Sequence, residues 1–398
     1  MRRMMCCRMA VVVLVVACCF GVQAQEVVCG AQRTTFYMPL LRGQRVAVVA
    51  NGGSVLTSQR GKVHLVDTLL HADVALRRIF CPEHGFRGTA EAGAHVEDGR
   101  DAATGLPIVS LYGKNRKPTA EQLADIDVVL FDLQDVGCRF YTYISTLHYV
   151  MEACAEQGKR VIVLDRPNPN GHYVDGPVLD TSLRSFVGMH PVPIVYGLTV
   201  GEYAQMINGE RWLKGAQQCA LTVVPLLNYS HRQAYALPDD AEPPSPNLVS
   251  KRAVWLYPGL CLFEGTTVSV GRGTDDPFTV VGTPTSRLHE SHFTPRSLPG
   301  RSAHPLHEGK RCYGPDLSGA ALPADSLLLW PLLRLYESTP HKGFFLNNGF
   351  FDLLAGTRQL RRQIEQGLSE AAIRTSWQAD LQQYRARRKL YLLYPDFD

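Results

Sequence analysis

Glu83 stands between Pro82 and His84 in the run Cys81-Pro82-Glu83-His84-Gly85-Phe86-Arg87-Gly88. A carboxyl group in a glycine-bounded turn is poorly explained by a helix surface or a helix cap, and it suits acid or base work at a reacting bond. Three further loops carry polar groups of the same kind. They are Asn51-Gly52-Gly53-Ser54, then Asp132-Leu133-Gln134-Asp135 with Arg139-Phe140-Tyr141-Thr142-Tyr143, and Asp165-Arg166-Pro167-Asn168-Pro169-Asn170-Gly171. Carboxylates, amides and guanidinium groups are therefore delivered by four loops, and tyrosine rings among them suit stacking on the apolar faces of sugars. Plainer roles stay open. The Asn51 loop is equally a turn and lacks the G-x-G-x-x-G dinucleotide fingerprint; Asp132 can cap a helix, Asp165 can lock Arg166, and Tyr141 and Tyr143 can be core residues.

A second cluster follows farther along: Pro244-Ser245-Pro246-Asn247, then Tyr257-Pro258-Gly259-Leu260-Cys261-Leu262-Phe263-Glu264-Gly265-Thr266. It runs on through Ser269, Gly271-Arg272-Gly273-Thr274-Asp275 and Pro277-Phe278. The glycines imply close backbone approach, and Glu264 with Arg272 places opposite charges there, as ligand contacts or simply as a pair. Two polar clusters on two units point to a cleft between them.

The elements that must position these loops are short β-branched runs alternating with longer periodic segments. Val46–Ala50, Ile79–Phe80, Ile108–Tyr112, Val128–Phe131 and Val161–Leu164 are near-continuous apolar strands, the pattern of a sheet buried on both faces. Helical patterns lie around Val63–His71, near Thr119–Asp125, over Tyr143–Gln157 closed by Gly158, and over Thr199–Trp212, where Thr199 and Glu202 have capping-box spacing. This alternation predicts an α/β fold: a Rossmann-like, doubly wound, mostly parallel sheet with a second, smaller C-terminal α/β domain. In such sheets ligands bind outside the carboxyl ends of the strands, where all four polar loops fall. The proline-rich stretch Pro238–Pro246 is the expected linker, giving an N-terminal domain over 25–240 and a C-terminal domain over 241–398. Amphipathic helices are expected over Phe351–Gln366 and, with a break, over Ser369–Tyr391.

The chain of 398 residues opens on Arg2, Arg3 and Arg8, then an apolar stretch from Ala10 to Val22 and small residues at Val22-Gln23-Ala24. That is the layout of a secretory signal peptide over residues 1–24, with apolar length short of the ~20 residues of a membrane span. Export to a periplasmic or extracellular location is expected; lipid anchoring at Cys18 is the second option. The leader holds three arginines and no acid, so its removal takes the formal charge from +4 to +1 and leaves no electrostatic footprint for nucleic acid. No transmembrane segment is expected in what remains. Seven of the eleven cysteines lie beyond residue 24. Their number is odd and their spacing irregular, which suits buried free thiols rather than a disulfide framework. No His/Cys spacing suggests a metal, and no cofactor is expected.

With these strings in this order, the sequence resembles the NamZ-type exo-β-N-acetylmuramidases, glycoside hydrolases of peptidoglycan turnover, over nearly all of residues 43–398. The resemblance rests on Pro82 to Gly88, Asp132 to Gly137, Arg139 to Tyr143, Asp165 to Pro169, Leu262 to Thr266 and Gly271 to Thr274. Phe351 to Thr357 and Tyr391 to Phe397 fit as well. It implies removal of N-acetylmuramic acid from the non-reducing end of muramic acid-containing saccharides, in a cleft between a Rossmann-like domain and a smaller one. Glu83 matches the catalytic glutamate of that family, and Glu264 is the matching acid of the second domain. Some members carry a histidine and a further glutamate where this chain has Tyr196 and Val270, with His190 nearby.

Cleavage of a glycosidic bond needs a protonated acid at the leaving oxygen and a second group that stabilises oxocarbenium-like charge. The candidates for the second group are Glu264, Asp135 and Asp132, in that order, or the substrate's own N-acetyl group. Arg87, Arg139, Arg166 and Arg272 are candidates for the lactyl carboxylate, which guanidinium matches in a bidentate manner. Asn51, His84, Asp132, Gln134, Tyr141, Tyr143, Asp165, Asn168, His190, Tyr196 and Thr274 complete the expected substrate surface. A non-catalytic sugar-binding protein on the same fold is the competing expectation. An amidase or peptidase is a third, without a G-x-S-x-G elbow or zinc motif to support it.

Overall fold

The computed structural model describes residues 26–58, 61–86, 98–321 and 325–397. The expected leader at 1–24, its Cys18 and the candidate Arg87 lie outside them. After α1 (Thr34–Leu41) come β1 (Arg45–Ala50), the hairpin strands β2 (Val55–Ser58) and β3 (Gly61–His64), α2 (Leu65–His71) and β4 (Ala75–Cys81). Then follow β5 (Gly99–Arg100), β6 (Pro107–Ser110), α3 (Ala120–Leu123), β7 (Val128–Asp132), α4 (Tyr143–Glu156), β8 (Arg160–Leu164), α5 (Val200–Gly209) and β9 (Ala220–Val224).

Seven of these strands form one sheet in the order β5-β6-β4-β1-β7-β8-β9, parallel throughout except for the short edge strand β5. The order runs outward from β1 in both directions, so the chain switches sides between β1 and β7. This is the doubly wound arrangement, whose crevice opens at that switch. The central strands justify their hydrophobic runs: Val46 to Ala50, Val128 to Phe131 and Val161 to Leu164 are fully buried on both faces. The capping box at Thr199 and Glu202 closes the start of α5, as its spacing predicts. The expected helix over Val63–His71 begins only at Leu65. Residues 61–64 pair with 55–58 instead, and His64 caps α2 by accepting from Val66 N.

Beyond the irregular stretch 238–246 the chain is mostly helical: α6 (Lys251–Leu260), α7 (Trp330–Ser338), α8 (Phe350–Ala355), α9 (Gln359–Glu365), α10 (Glu370–Thr375) and α11 (Gln378–Arg388). Its strands among the described residues are the ribbon β10 (Ser291–Phe293) and β11 (Cys312–Gly314). The single helix expected over Phe351–Gln366 is two, because Gly356 takes φ +71 and ends α8. That glycine is dictated by packing: a Cβ on it would lie 2.3 Å from Arg139 Nη2.

The last helices are bonded to the sheet unit by buried polar groups. Arg388, fully buried, donates to Gly197 O at 2.7 Å and forks onto Asp396 at 2.8 and 2.9 Å. Asp175 accepts from Arg374 Nη1 at 2.7 Å, Trp377 Nε1 at 3.1 Å and Leu327 N at 2.8 Å. With Gly176 N, at 2.7 Å, it has four donors, and such a carboxylate is far less costly to bury than an unpaired one. All seven described cysteines are free thiols.

Candidate active site

Glu83 follows the carboxyl end of β4, in a turn closed by Gly85 N donating to Pro82 O at 3.0 Å. The next residue, His84, has φ +74, a conformation that costs a non-glycine residue free energy and is concentrated at functional sites. The half-buried Glu83 carboxyl accepts at Oε2 from Thr142 Oγ1, 2.9 Å away at the start of α4, and bonds to the Tyr112 hydroxyl. Burial, reinforced by Glu83, holds that tyrosine above its ordinary range, so it stays a neutral donor.

Glu83 and Glu264 line one cavity of about 550 Å³. The sheet unit contributes His84, Tyr112, Arg116, Phe140, Tyr141, Thr142, Phe186 and Val187, and the irregular stretch contributes Ser245. The helical unit adds Tyr257, Cys261, Arg272, Phe278, Arg301, Ser302, His304, Phe350 and Leu354. Glu264 sits in a short 3₁₀ turn after α6, and Arg272 grips its Oε1 with Nε at 3.0 Å and Nη2 at 2.6 Å. An aromatic seam joins the two walls, with ring centroids 4.7 Å apart for Tyr141–Tyr143, 5.9 Å for Tyr141–Tyr257 and 5.1 Å for Tyr257–Phe278. The Arg272 guanidinium lies 5.2 Å from the Phe278 ring centroid. Tyr141 is fixed by donating to Pro244 O at 2.5 Å. Such edge-to-face rings keep a rigid, partly apolar surface of the kind on which a pyranose can rest.

Of the expected site residues, Glu83, His84, Tyr141, Glu264 and Arg272 share this cavity. Tyr143 lies buried behind Tyr141, its hydroxyl accepting from Asn51 Nδ2 at 2.9 Å and donating to Pro244 O at 3.3 Å. Asn51 and Tyr143 thus brace the wall without lining it.

Others stand off this cavity, most of them in the interior, a correction to the expected contact with substrate. Asp132 is fully buried and clamped by Arg166, whose Nε and Nη2 lie 2.6 and 2.8 Å from its two oxygens. Asp165 accepts from Thr199, Tyr394, Gly201 N and Arg166 N, so it joins β8 to α5 and to the chain end. Arg139 is fully buried and donates to three carbonyls, Pro177 O and Val192 O at 2.8 Å and Leu354 O at 3.0 Å. Its Nη nitrogens are held by these carbonyls, its Nε is buried without a partner, and Arg139 does not line the cavity. His190 stacks on Trp212 and bonds His148 and Tyr203, and burial depresses its pKa well below the ordinary imidazole value. Asn168 ties Leu198 O and Asn170 N, and Thr274 closes its own turn onto Gly271 O. Gln134 bridges Asp135 O and Pro167 O, each at 2.8 Å, and with Arg166 lines a separate cavity of about 250 Å³.

Asp135 is the third departure among the acids. It is 5% exposed and does not line the larger cavity; Gly137 N donates to its Oδ2 at 2.6 Å and the Tyr196 hydroxyl bonds the same oxygen. Oδ1 has no partner, and burial pushes the carboxyl up to about 7. Asp135 therefore belongs to the interior, and Tyr196 is its holder. Val270, at the other departure from the family pattern, is a buried apolar residue. Among the described residues, no three His, Cys, Asp or Glu side chains converge to hold a metal ion.

Sequence reasoning passed over Tyr112, Arg116, Thr142, Phe186, Arg301 and His304 as site residues. Thr142 was legible as the residue opening the helix beside the polar loop, and Gly300-Arg301-Ser302-Ala303-His304 as a glycine-led polar turn. Phe186 and Arg116 gave no local signal, since only the fold brings them to Glu83.

The chain matches the family model described as exo-β-N-acetylmuramidase NamZ, N-terminal, over residues 46–252, and its C-terminal counterpart over residues 255–394. It is 38% identical over 376 residues to the peptidoglycan β-N-acetylmuramidase NamZ of Bacillus subtilis (strain 168), covering 90% of this chain and 89% of that protein. Among solved structures, a DUF1343 family protein of Bacteroides fragilis NCTC 9343 is similar with a TM-score of 0.84 and 42% identity, covering 94% of this chain and all of that one. A second DUF1343 family protein of the same organism has a TM-score of 0.79 and 29% identity, covering 92% and 99%.

Proposed function

The chain belongs to the exo-β-N-acetylmuramidase NamZ family, and from that premise we propose how its cleft acts on peptidoglycan. It is a glycoside hydrolase that removes N-acetylmuramic acid from the non-reducing end of muramic acid-containing fragments. Glu83 is the proton donor to the bridging oxygen. Support for this comes from one observation above others: Glu83 and Glu264, brought from separate parts of the chain, face the same 550 Å³ cavity. The tyrosine at 112 and the hydroxyl of Thr142 hold the donor's carboxyl in one orientation, which general acid catalysis requires.

Glu264 is the second carboxylate in this reading. Its rivals are disqualified by physics rather than by resemblance: Asp132 is neutralised by Arg166 inside the fold, and Asp135 is buried and does not line the cavity. Arg272 orients Glu264 through its two-nitrogen grip on Oε1, as stabilisation of an oxocarbenium-like centre demands. The Tyr141 and Tyr257 rings offer the stacking surface. We also propose that the protein is exported, supported by the cationic and apolar order of residues 1–24. No helix among the described residues is long and apolar enough to cross a membrane.

The test is incubation with a muramic acid–glucosamine disaccharide and with a chromogenic β-muramide. Release of free N-acetylmuramic acid from both is expected. Binding without release would favour a dead cleft, and intact glycan with freed peptide from a peptide-bearing fragment would favour an amidase.

A further inference from the structure

The three arginines of the cavity differ in what they already hold. Arg272 gives its fork to Glu264. The Arg116 guanidinium carbon lies over Phe186, 4.4 Å from the ring centroid, on the wall that carries Tyr112 and Glu83. Arg301 is held differently. Its backbone is fixed in a turn where Leu298 and Ser302 exchange two hydrogen bonds, 2.9 and 2.7 Å, and Asn247 Nδ2 donates to its carbonyl at 2.8 Å. Its Nε donates to Pro246 O at 3.2 Å, which sets the plane of the guanidinium. Its Nη2 is buried without a hydrogen-bond partner, and no carboxylate among the described residues pairs with it. Ser245, Ser302 and His304 stand on the same lining.

A buried guanidinium nitrogen without an acceptor is costly, and the cost is removed when an anion arrives. The planar fork suits a carboxylate better than a hydroxyl or an amide. Of the sugars in a glycan of alternating N-acetylglucosamine and N-acetylmuramic acid, only the latter carries an acid, on its lactyl arm. We propose that Arg301 recognises the lactyl carboxylate and so determines specificity for a muramyl over a glucosaminyl unit. This rests on the proposed activity and deepens it: of the arginines suggested by sequence, Arg166 and Arg139 do not line the cavity, Arg272 gives its fork to Glu264 and Arg87 lies outside the described residues, whereas Arg301 lines the cavity and keeps an unpartnered Nη2.

The test compares N-acetylmuramic acid with its lactyl methyl ester as inhibitors of β-muramide hydrolysis. The parent protein is expected to bind the acid about thirtyfold more tightly than the ester, the range of a charge-assisted hydrogen bond. Arg301→Gln brings the two within about threefold and raises KM for the muramide about thirtyfold, with kcat nearly unchanged, as loss of uniform binding requires. Arg301→Lys retains part of the preference, which separates loss of charge from loss of fold, and Arg116→Ala retains all of it. Equal binding of acid and ester by the parent, or an undiminished preference in Arg301→Gln, overturns the assignment. A parent that hydrolyses no muramide instead overturns the activity on which it rests.

Discussion

Thr142 Oγ1 donates to Glu83 Oε2 at 2.9 Å, while making no capping bond to the helix that it opens. A capping hydroxyl contributes about 1 kcal/mol to a helix. Here that group is directed at a carboxyl from another strand's loop, and the same contact places Glu83 at the positive end of α4, a 14-residue helix. Stability of one element has been given over to orientation of one acid.

Glu83→Gln keeps the shape and the hydrogen bonds while removing the transferable proton. Its kcat on a β-muramide should fall on the order of 10²–10⁴-fold, with a melting temperature within about 3 °C of the parent. Thr142→Val removes only the orienting bond, so about a tenfold loss in kcat is expected. Steady-state kinetics beside a thermal melt decide both, and a Gln variant within tenfold of the parent removes Glu83 from the mechanism.

Glu264 and Arg272 are each about one-quarter exposed and neutralise one another. Glu264→Gln should lower kcat about a hundredfold, because the cavity then has no second carboxylate to answer positive charge at the anomeric carbon. Arg272→Ala should cost less, about tenfold, since Glu264 remains but loses its fork. Parent-like kcat in Glu264→Gln would shift the role of second group to the substrate's acetamide.

Asp135 gives the protein a pH signature. In the unfolded chain this acid titrates near 3.8, and in the native state burial raises it to about 7. Between those values the folded protein keeps a proton that the unfolded chain has lost. Stability from this group is therefore full below about pH 4 and declines as pH rises toward 7, by at most about 1.4 kcal/mol per pH unit. Asp135→Asn retains acceptance from Gly137 N and Tyr196 and cannot ionise. Urea unfolding at pH 5 and pH 8 should show the parent losing about 2 kcal/mol relative to that variant. Parallel pH dependences would mean that the native carboxyl is already ionised at pH 5.

The parallel sheet was legible because its strands are buried on both faces and so read as unbroken apolar runs, from Val46 to Ala50 and from Val161 to Leu164. The location of the cleft followed from the loops at their carboxyl ends. What sequence could not divide was polarity that faces a ligand from polarity that faces the fold. Asp132, Asp165 and Arg139 have the composition of a binding loop, yet each is held in the interior by partners distant in the chain, Arg166 and Thr199 each 34 residues away and Leu354 215 residues away. Arg301 posed the reverse problem, an ordinary arginine in a turn until its neighbours leave one nitrogen unmatched.

Arg139 tests that distinction directly. Its guanidinium joins carbonyls of the sheet unit, Pro177 and Val192, to Leu354 at the end of α8, and Gly356 is a glycine because the guanidinium fills the space of a side chain. Arg139→Met should strand three buried carbonyl acceptors and lower stability by about 3 kcal/mol. Gly356→Ala should lower it by a comparable amount, about 2–4 kcal/mol, through the 2.3 Å approach to Nη2 and the φ of +71. Because both acts fall on the same contact, the double variant should cost less than the sum of the two. At a temperature where each variant remains folded, KM for the muramide should stay within about threefold of the parent. A large rise in KM with unaltered stability would return Arg139 to the substrate surface, where its composition had first placed it.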